Sequence, residues 1–151
     1  MRRSPTYNAW LDMKQRCDNP RNASYKDYGG RGIGYIPAWS VFVFFLRDMG
    51  LRPERVDQIV LDRKDNNGNY CKENCRWTTA SRSVLNRRPF STNLSGIPGV
   101  FFDKRRNHWR VYANLDRERT YLYCGKDFFE ACCRRKSWET SLRHDENAVN
   151  V

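Results

Sequence analysis

Residues 59–79 constrain the fold of this chain most, because two short apolar segments flank a stretch that favours a turn. The first apolar segment ends at Leu61, and the second follows Asn74. Residues 66–69 consist of three Asn and one Gly, residue types that tolerate the backbone of a hairpin turn. A basic segment with helical spacing covers residues 80–88. This order predicts a strand, a loop, a second strand and a helix.

Two helices are predicted before this region. Ser4 and Pro5 begin the first, because Ser caps helix N-termini and Pro fits the first helical position. The second is expected to run from Pro37 to Met49, with Gly50 as its stop. The apolar face of the first helix is formed by Trp10, Met13 and Cys17.

The second half of the chain predicts a small sheet followed by one helix. Strands are expected at 99–102, at His108–Leu115, where apolar and polar residues alternate, and at Thr120–Cys124. Asp127 and Glu130 form a capping-box pattern that begins the helix. The fold class is therefore expected to be α+β. The predicted divisions are a first domain at 1–88, a linker at 89–98, a second domain at 99–142 and a frayed tail at 143–151.

The charge of the chain favours a polyanionic partner. The sequence contains 28 Lys and Arg against 17 Asp and Glu, a formal net charge of +11. Neutralising phosphates with such residues releases condensed counterions, which drives nucleic-acid binding. No apolar stretch approaches the length of a membrane span, so we expect no membrane partner. A basic protein without a nucleic-acid role is the alternative.

The first half of the chain resembles the ββα-metal finger of HNH nucleases, in the form found in phage and mobile-element proteins. The resemblance covers residues 4–88 and rests on the ordered segments YNAWLDMKQRCDNPRNASYKDYGGRGIGYIPAW, FLRDMG, LDRKDNNGNY and NCRWTT. It implies that Asp62 binds a divalent metal and that Asn74 ties the loop across the hairpin. Asn86 lies on the predicted helix and could face the metal. An ordinary Asn-rich hairpin turn is the alternative interpretation.

Two positions depart from the usual HNH pattern. Arg63 stands where most of these enzymes have a His, and an arginine cannot accept a proton at neutral pH. It is expected to stabilise charge on the scissile phosphate. Ser83, a poor ligand, occupies a helix position that usually carries Asn or His. By similarity to a related restriction-enzyme group, Tyr28, or otherwise Tyr70, is the expected base, with metal hydroxide as the alternative; both tyrosines could instead pack or bind phosphate.

Basic residues around the hairpin are expected to contact DNA. Residues 29–34, GGRGIG, do not lie between a strand and a helix of a βαβ unit, so a dinucleotide site is rejected. Their glycines could let the backbone and Arg31 approach a phosphate, or they could form a tight loop. The predicted DNA contacts of the first domain are Arg31, Lys64, Arg76, Arg82, Arg87 and Arg88.

Residues 95–140 resemble the three-stranded sheet and helix of the plant ethylene-response-factor DNA-binding domain. The matching features are Gly99-Val100, a basic turn, Trp109-Arg110 and a helix that opens at Phe128. In that family the sheet lies in the major groove, whereas a solvated polar face is the alternative. The predicted DNA contacts are Lys104, Arg105, Arg106, Arg110, Tyr112, Arg117, Arg119 and Tyr121.

These resemblances imply a metal-dependent DNA endonuclease of a phage or mobile element, acting in the bacterial cytoplasm. Its cofactor would be Mg²⁺, with Mn²⁺ as the alternative. Its partner would be double-stranded DNA, and it could form a homodimer. A structural Zn²⁺ is not expected, because Cys71 and Cys75 lack a second ligand pair and Cys17 could only join them in space. The alternatives are a non-catalytic DNA-binding protein and a subunit of a nucleoprotein assembly, since Arg63 and Ser83 weaken the enzymatic interpretation.

Overall fold

A computed structural model describes residues 3–54, 58–87, 89, 92–116 and 118–148, with the backbone alone at 143–148. The chain divides into two units, Met1–Asn86 and Arg87–Val151. Both combine helices with a small antiparallel sheet, which confirms the α+β class. The elements are α1 Pro5–Asp18, α2 Phe42–Met49, β1 Ile59–Arg63, β2 Cys75–Thr79, α3 Ala80–Leu85, β3 Val100–Asp103, β4 His108–Leu115, β5 Glu118–Gly125 and α4 Phe128–Ala148.

Helix α1 begins as the sequence predicts. The Ser4 hydroxyl accepts a hydrogen bond from the Tyr7 backbone N–H at 3.2 Å, and Pro5 is the first helical residue. The apolar face of α1 packs into the core of the first unit, and α2 and one face of the β1–β2 hairpin pack into the same core. The buried core residues are Trp10, Met13, Cys17, Ile33, Trp39, Phe45, Leu61, Tyr70 and Cys75.

The second helix is shorter than predicted. Residues Pro37–Ser40 form a 3₁₀ turn, Val41 is extended (φ −106°, ψ 127°), and α2 begins only at Phe42. The Ser40 hydroxyl donates a hydrogen bond to the Pro37 carbonyl at 2.7 Å. Such local side-chain bonds compete with helix propagation, which explains the break. Gly50 follows the last residue of α2, as expected.

Strands β1 and β2 pair antiparallel, with Asp62 opposite Arg76 and Arg63 opposite Cys75. Because side chains alternate along a strand, Asp62 and Arg76 share one face of the hairpin. Arg63 points to the other face, which packs on the core. Helix α3 follows β2 directly, and the Thr79 hydroxyl caps it by accepting the Arg82 backbone N–H at 3.3 Å. The predicted strand–loop–strand–helix order is confirmed.

The second unit is a three-stranded sheet, ordered β3-β4-β5, with α4 packed on one face. Val100, Val111 and Ala131 form its buried centre. Gly99 precedes β3 at φ +80°, where an added Cβ would lie 2.7 Å from the Tyr112 carbonyl oxygen. A glycine is therefore required for β3 to approach β4 so closely. The alternation predicted for β4 is confirmed.

The structure differs from the prediction at two boundaries. The predicted linker is partly built into the second unit, because Ser95 donates to the Ile97 and Val100 carbonyls and Ile97 packs on the core. The predicted tail is helical at 143–148, since α4 runs to Ala148 and no Gly or Pro interrupts it there. Residues 149–151 lie outside the described residues. Among the helices of the described part, none is long and apolar enough to cross a membrane.

Candidate functional site

The side chains of Asp62, Arg76, Ser83 and Asn86, which we call the Asp62 cluster, meet on the α3 face of the hairpin. The Ser83 hydroxyl donates to Asp62 Oδ1 at 3.0 Å, and Arg76 Nε donates to Asp62 Oδ2 at 3.4 Å. Asp62 is only 7% exposed. Burial raises the pKa of this carboxyl, while the bonds from Ser83 and Arg76 act in the opposite direction. Residues from β1, β2 and α3 thus surround one buried carboxylate.

Asn86 joins the end of α3 to the end of β1. Its side-chain amide donates to the Arg63 and Lys64 carbonyls, and its own backbone carbonyl accepts from the Asn66 side chain. The same amide favours the ionised form of Asp62. The two predicted metal ligands, Asp62 and Asn86, therefore lie together at the end of β1.

Asn74 ties the turn of the hairpin, in the structural role that the sequence predicts. Its side-chain oxygen accepts the Asp65 backbone N–H at 2.8 Å, and its amide donates to the carbonyls of Asp65 at 3.1 Å and Asn69 at 2.9 Å. The Lys64 backbone N–H also donates to the Asn74 carbonyl at 2.7 Å. These bonds fix the backbone that immediately follows Asp62 and Arg63.

Arg63 is buried on the core face of the hairpin, at 6% exposure. Its guanidinium carbon lies 5.0 Å from the centroid of the Tyr28 ring and 4.9 Å from that of Tyr70, and Nη1 donates to the Gly68 carbonyl at 2.8 Å. Cation–π contacts of this kind stabilise a desolvated guanidinium. The structure brings Tyr28 to Arg63, on the side of the hairpin opposite Asp62.

Arg16 on α1 completes an arginine–tyrosine cluster with Tyr28, Arg63 and Tyr70. Arg16 Nη1 donates to the Tyr28 hydroxyl at 3.4 Å, and its guanidinium carbon lies 5.0 Å from the centroid of the Tyr28 ring. Burial raises the pKa of Tyr70, so its hydroxyl keeps its proton at neutral pH and is a poor base. Arg16 was not among the predicted site residues. The signal available in the sequence was its position next to Cys17, a residue of the apolar face of α1.

The glycine-rich loop packs against α1 and the hairpin turn. A Cβ at Gly29 would lie 2.0 Å from the Cys17 carbonyl oxygen, so the glycine permits a close approach to α1. Arg31 donates to the Asn67 side chain at 2.8 Å, and the Gly34 backbone N–H donates to the Asn69 side chain at 2.9 Å. These contacts favour the tight-loop interpretation and place Arg31 beside the turn that follows Asp62.

The other predicted DNA contacts of the first half lie on or near the hairpin and α3. Lys64 is exposed, and its ammonium donates to the Glu73 carbonyl at 2.8 Å. Arg82 lies on α3 and is partly exposed, and Arg87 follows the helix and is exposed. Arg88 lies outside the described residues.

In the second unit, the face of the sheet away from α4 carries aromatic and basic side chains, which we call the open sheet face. Tyr112 lies opposite Tyr121 in the sheet register and stacks on Phe101, with ring centroids 5.1 Å apart. The Arg119 guanidinium carbon lies 4.7 Å from the Tyr112 centroid. The members of this face are Phe101, Arg110, Tyr112, Arg119 and Tyr121. Four of them were predicted as DNA contacts. Phe101 was not, because its segment of the sequence lacks an alternating pattern.

The basic turn between β3 and β4 is organised by Asp103. One carboxylate oxygen accepts the backbone N–H groups of Arg105 and Arg106 at 3.1 and 3.3 Å, and the other pairs with Arg110 at 3.5 Å. The side chains of Lys104, Arg105 and Arg106 are exposed. The predicted DNA contact Arg117 lies outside the described residues.

The Asp62 cluster contains oxygen atoms of the type that bind Mg²⁺, but it has one carboxylate. Mg²⁺ commonly takes one or two carboxylates and keeps several waters, and Asp62 supplies one carboxylate beside the Ser83 hydroxyl and the Asn86 amide. No group of three or more His, Cys, Asp or Glu suited to a metal occurs among the described residues. Burial raises the pKa of the Cys75 thiol to about 12 and that of the Cys17 thiol to about 11.

Comparison with protein-family models, with curated proteins and with solved structures gave no match to this chain.

Proposed function

We propose that this chain binds double-stranded DNA and cleaves a phosphodiester bond at the Asp62 cluster with the help of Mg²⁺ or Mn²⁺. The observation that carries the proposal is the convergence of Asp62, Arg76 and Ser83 from β1, β2 and α3 around one carboxylate. Exposed basic residues, Lys64 and Arg87, follow β1 and α3. A lone buried carboxylate in a basic hairpin suits a hydrated divalent ion that also contacts a phosphate.

The residues of the cluster have distinct parts in this proposal. A bound divalent ion would stabilise the charge that develops on the phosphate and on the leaving oxygen. Asp62 holds the ion, and Ser83 can rotate its hydroxyl proton away from the carboxylate. Asn86 and Asn74 fix the backbone that follows Asp62 through their hydrogen bonds.

In this proposal Tyr28 and Arg63 hold β1 in position and do not take part in the chemical step. The Tyr28 hydroxyl accepts from Arg16, and its ring packs on Arg63, whose side chain points away from the face that carries Asp62. Both residues therefore support the core side of β1. The open sheet face supplies a second DNA contact, through arginines that can bond base edges or phosphates.

A DNA-binding protein without nuclease activity is the second candidate, and one observation favours it. Both oxygens of Asp62 accept hydrogen bonds from protein groups, and its pKa is raised by burial. A carboxylate held in this way is a weaker metal ligand than a free one.

A plasmid assay separates the two candidates. Purified full-length chain is incubated with supercoiled plasmid and either Mg²⁺ or Mn²⁺, and a gel-shift assay on a short duplex measures binding in parallel. Nicked or linear plasmid that forms with the metal, and does not form when EDTA is present during the incubation, supports the nuclease. A gel shift with intact plasmid in both metals would leave only the binding function.

A further inference from the structure

A cation that binds Asp62 would have to compete with Arg76 for the carboxylate. Arg76 stands directly opposite Asp62 in the hairpin register, with Nε 3.4 Å from Oδ2. This distance exceeds the 2.7–2.9 Å typical of a charge-assisted bond between a guanidinium and a carboxylate. The Arg76–Asp62 contact is therefore a loose ion pair.

The two partners of this ion pair differ in their access to solvent. The Asp62 side chain is 7% exposed, whereas 34% of the Arg76 side chain is exposed. Arg76 thus extends from the buried carboxylate toward the protein surface. An anion outside the protein can reach the guanidinium more easily than a cation can reach the carboxylate.

A divalent cation and a guanidinium on the same carboxylate repel each other. If both bound to Asp62 at once, two cationic groups would share its one carboxylate. Guanidinium groups also bind phosphate in a bidentate manner. A DNA phosphate is consequently a good alternative partner for Arg76, and it adds negative charge beside the metal site.

We infer that Arg76 holds Asp62 in a resting state, and that transfer of Arg76 to a DNA phosphate opens the carboxylate to the metal. Metal binding and DNA binding are then coupled, each strengthening the other by the same factor. This inference rests on the proposed function. It assigns Arg76 a positioning role, and it makes the free protein a poor binder of divalent ions.

Mn²⁺ binding tests the inference without reference to cleavage. Electron paramagnetic resonance measures free Mn²⁺ during titration of the full-length chain, alone and with a short phosphorothioate duplex, which keeps the backbone charge and resists hydrolysis. The variants are Arg76→Gln, Asp62→Asn and Lys72→Ala. The last removes one exposed positive charge from the loop before β2 and serves as the matched control. The duplex with Asp62→Asn gives the background binding of Mn²⁺ to DNA.

We expect Arg76→Gln to bind Mn²⁺ about tenfold more tightly than the unmodified chain in the absence of DNA, with Lys72→Ala close to the unmodified chain. The duplex should strengthen Mn²⁺ binding about tenfold in the unmodified chain and much less in Arg76→Gln. Arg76→Met, which is of similar length and neutral, gives the same comparison if the Gln variant does not fold. Circular dichroism establishes which variants are folded.

Equal Mn²⁺ affinity in the unmodified chain and a folded Arg76 variant, with equal response to the duplex, would overturn the inference. Cleavage of plasmid by the unmodified chain would then still support the proposed nuclease. Unchanged Mn²⁺ affinity in Asp62→Asn would show that the metal binds elsewhere, and it would overturn both the proposed site and the inference.

Discussion

The two units place their polar side chains in opposite ways. In the hairpin unit, Asp62 is 7% exposed and interlocked with Ser83 and Arg76. On the open sheet face, Tyr121 is 66% exposed and Arg119 is exposed beside the Tyr112 ring. A buried network fixes the geometry of a few atoms, which chemistry requires. An exposed aromatic and basic face provides contact area, which binding requires.

Each unit also buries an arginine, and the two have different surroundings. Arg135, 3% exposed, pairs with Glu139 at 2.9 Å and donates to the Tyr112 carbonyl, so its charge is neutralised within the scaffold. The contacts of the Arg63 guanidinium in the described part of the chain are two tyrosine rings and the Gly68 carbonyl, all uncharged. The second unit therefore resembles an ordinary packed scaffold, whereas the hairpin core retains positive charge.

The largest effect is expected from Asp62→Asn, which should nearly abolish DNA cleavage while DNA binding is retained. Loss of the carboxylate removes the only charged ligand of the proposed metal, so plasmid nicking should fall about a thousandfold. In metal-free buffer the gel-shift affinity for a duplex should not fall by more than about twofold, because the predicted DNA contacts are untouched. Asp12→Asn, at an exposed position of α1, is the control. If Asp62→Asn nicked plasmid at the original rate, the Asp62 cluster would not be the site of cleavage, and its contrast with the open sheet face would not hold.

Arg135→Ala should reduce the free energy of unfolding of the second unit by about 3 kcal/mol. The change removes the buried partner of Glu139, which keeps its exposed pair with Lys136, and removes a contact between α4 and β4. Guanidinium chloride unfolding followed by circular dichroism measures the loss. Arg134→Ala removes only the exposed pair with Glu130 and should cost less than about 1 kcal/mol. Equal losses in the two variants would contradict a scaffold role for Arg135.

Asn74→Ala should destabilise the hairpin unit by about 2 kcal/mol, because three side-chain hydrogen bonds across the turn are lost. Asn69→Ala removes one side-chain bond, to the Gly34 backbone, and should cost about 1 kcal/mol. Urea unfolding of both variants gives the comparison. A smaller loss for Asn74 than for Asn69 would show that the turn does not depend on the central asparagine.

Arg119→Ala is expected to have the smallest effect, a roughly tenfold weaker affinity for duplex DNA. Nicking at saturating DNA should not change, because Arg119 lies on the open sheet face and not in the Asp62 cluster. Gel-shift titrations at several salt concentrations show whether Arg119 contacts a phosphate, since each lost phosphate contact lowers the salt slope by about one. Arg134→Ala provides the matched control, and the open sheet face is not a binding surface if the two variants bind equally.

The elements with local signals could be predicted from the sequence. Helix α1 was predicted because Ser4 and Pro5 define its start, and β4 because its residues alternate between two faces. The hairpin followed from the turn residues between two predicted strands, and the tie made by Asn74 was expected from the resemblance to HNH nucleases. In each case the deciding interactions join residues close in sequence.

Other features depend on contacts that the sequence does not reveal. Arg63 lies between tyrosines that come from a loop before the hairpin and from the hairpin turn, and Arg16 reaches Tyr28 from α1. The ion pair between Asp62 and Arg76 depends on the strand register, which places them opposite each other. The break at Val41 arises from one side-chain hydrogen bond that hydrophobic periodicity cannot detect.

The side chain of Asn86 has a practical consequence for dividing the chain. It is the final residue of the first unit, and it anchors the last turn after α3 to the carbonyls of Arg63 and Lys64. A truncation after Leu85 would keep the helix but delete this anchor, so the end of β1 would lose these hydrogen bonds. The shortest fragment that retains the complete Asp62 cluster therefore extends at least through Asn86.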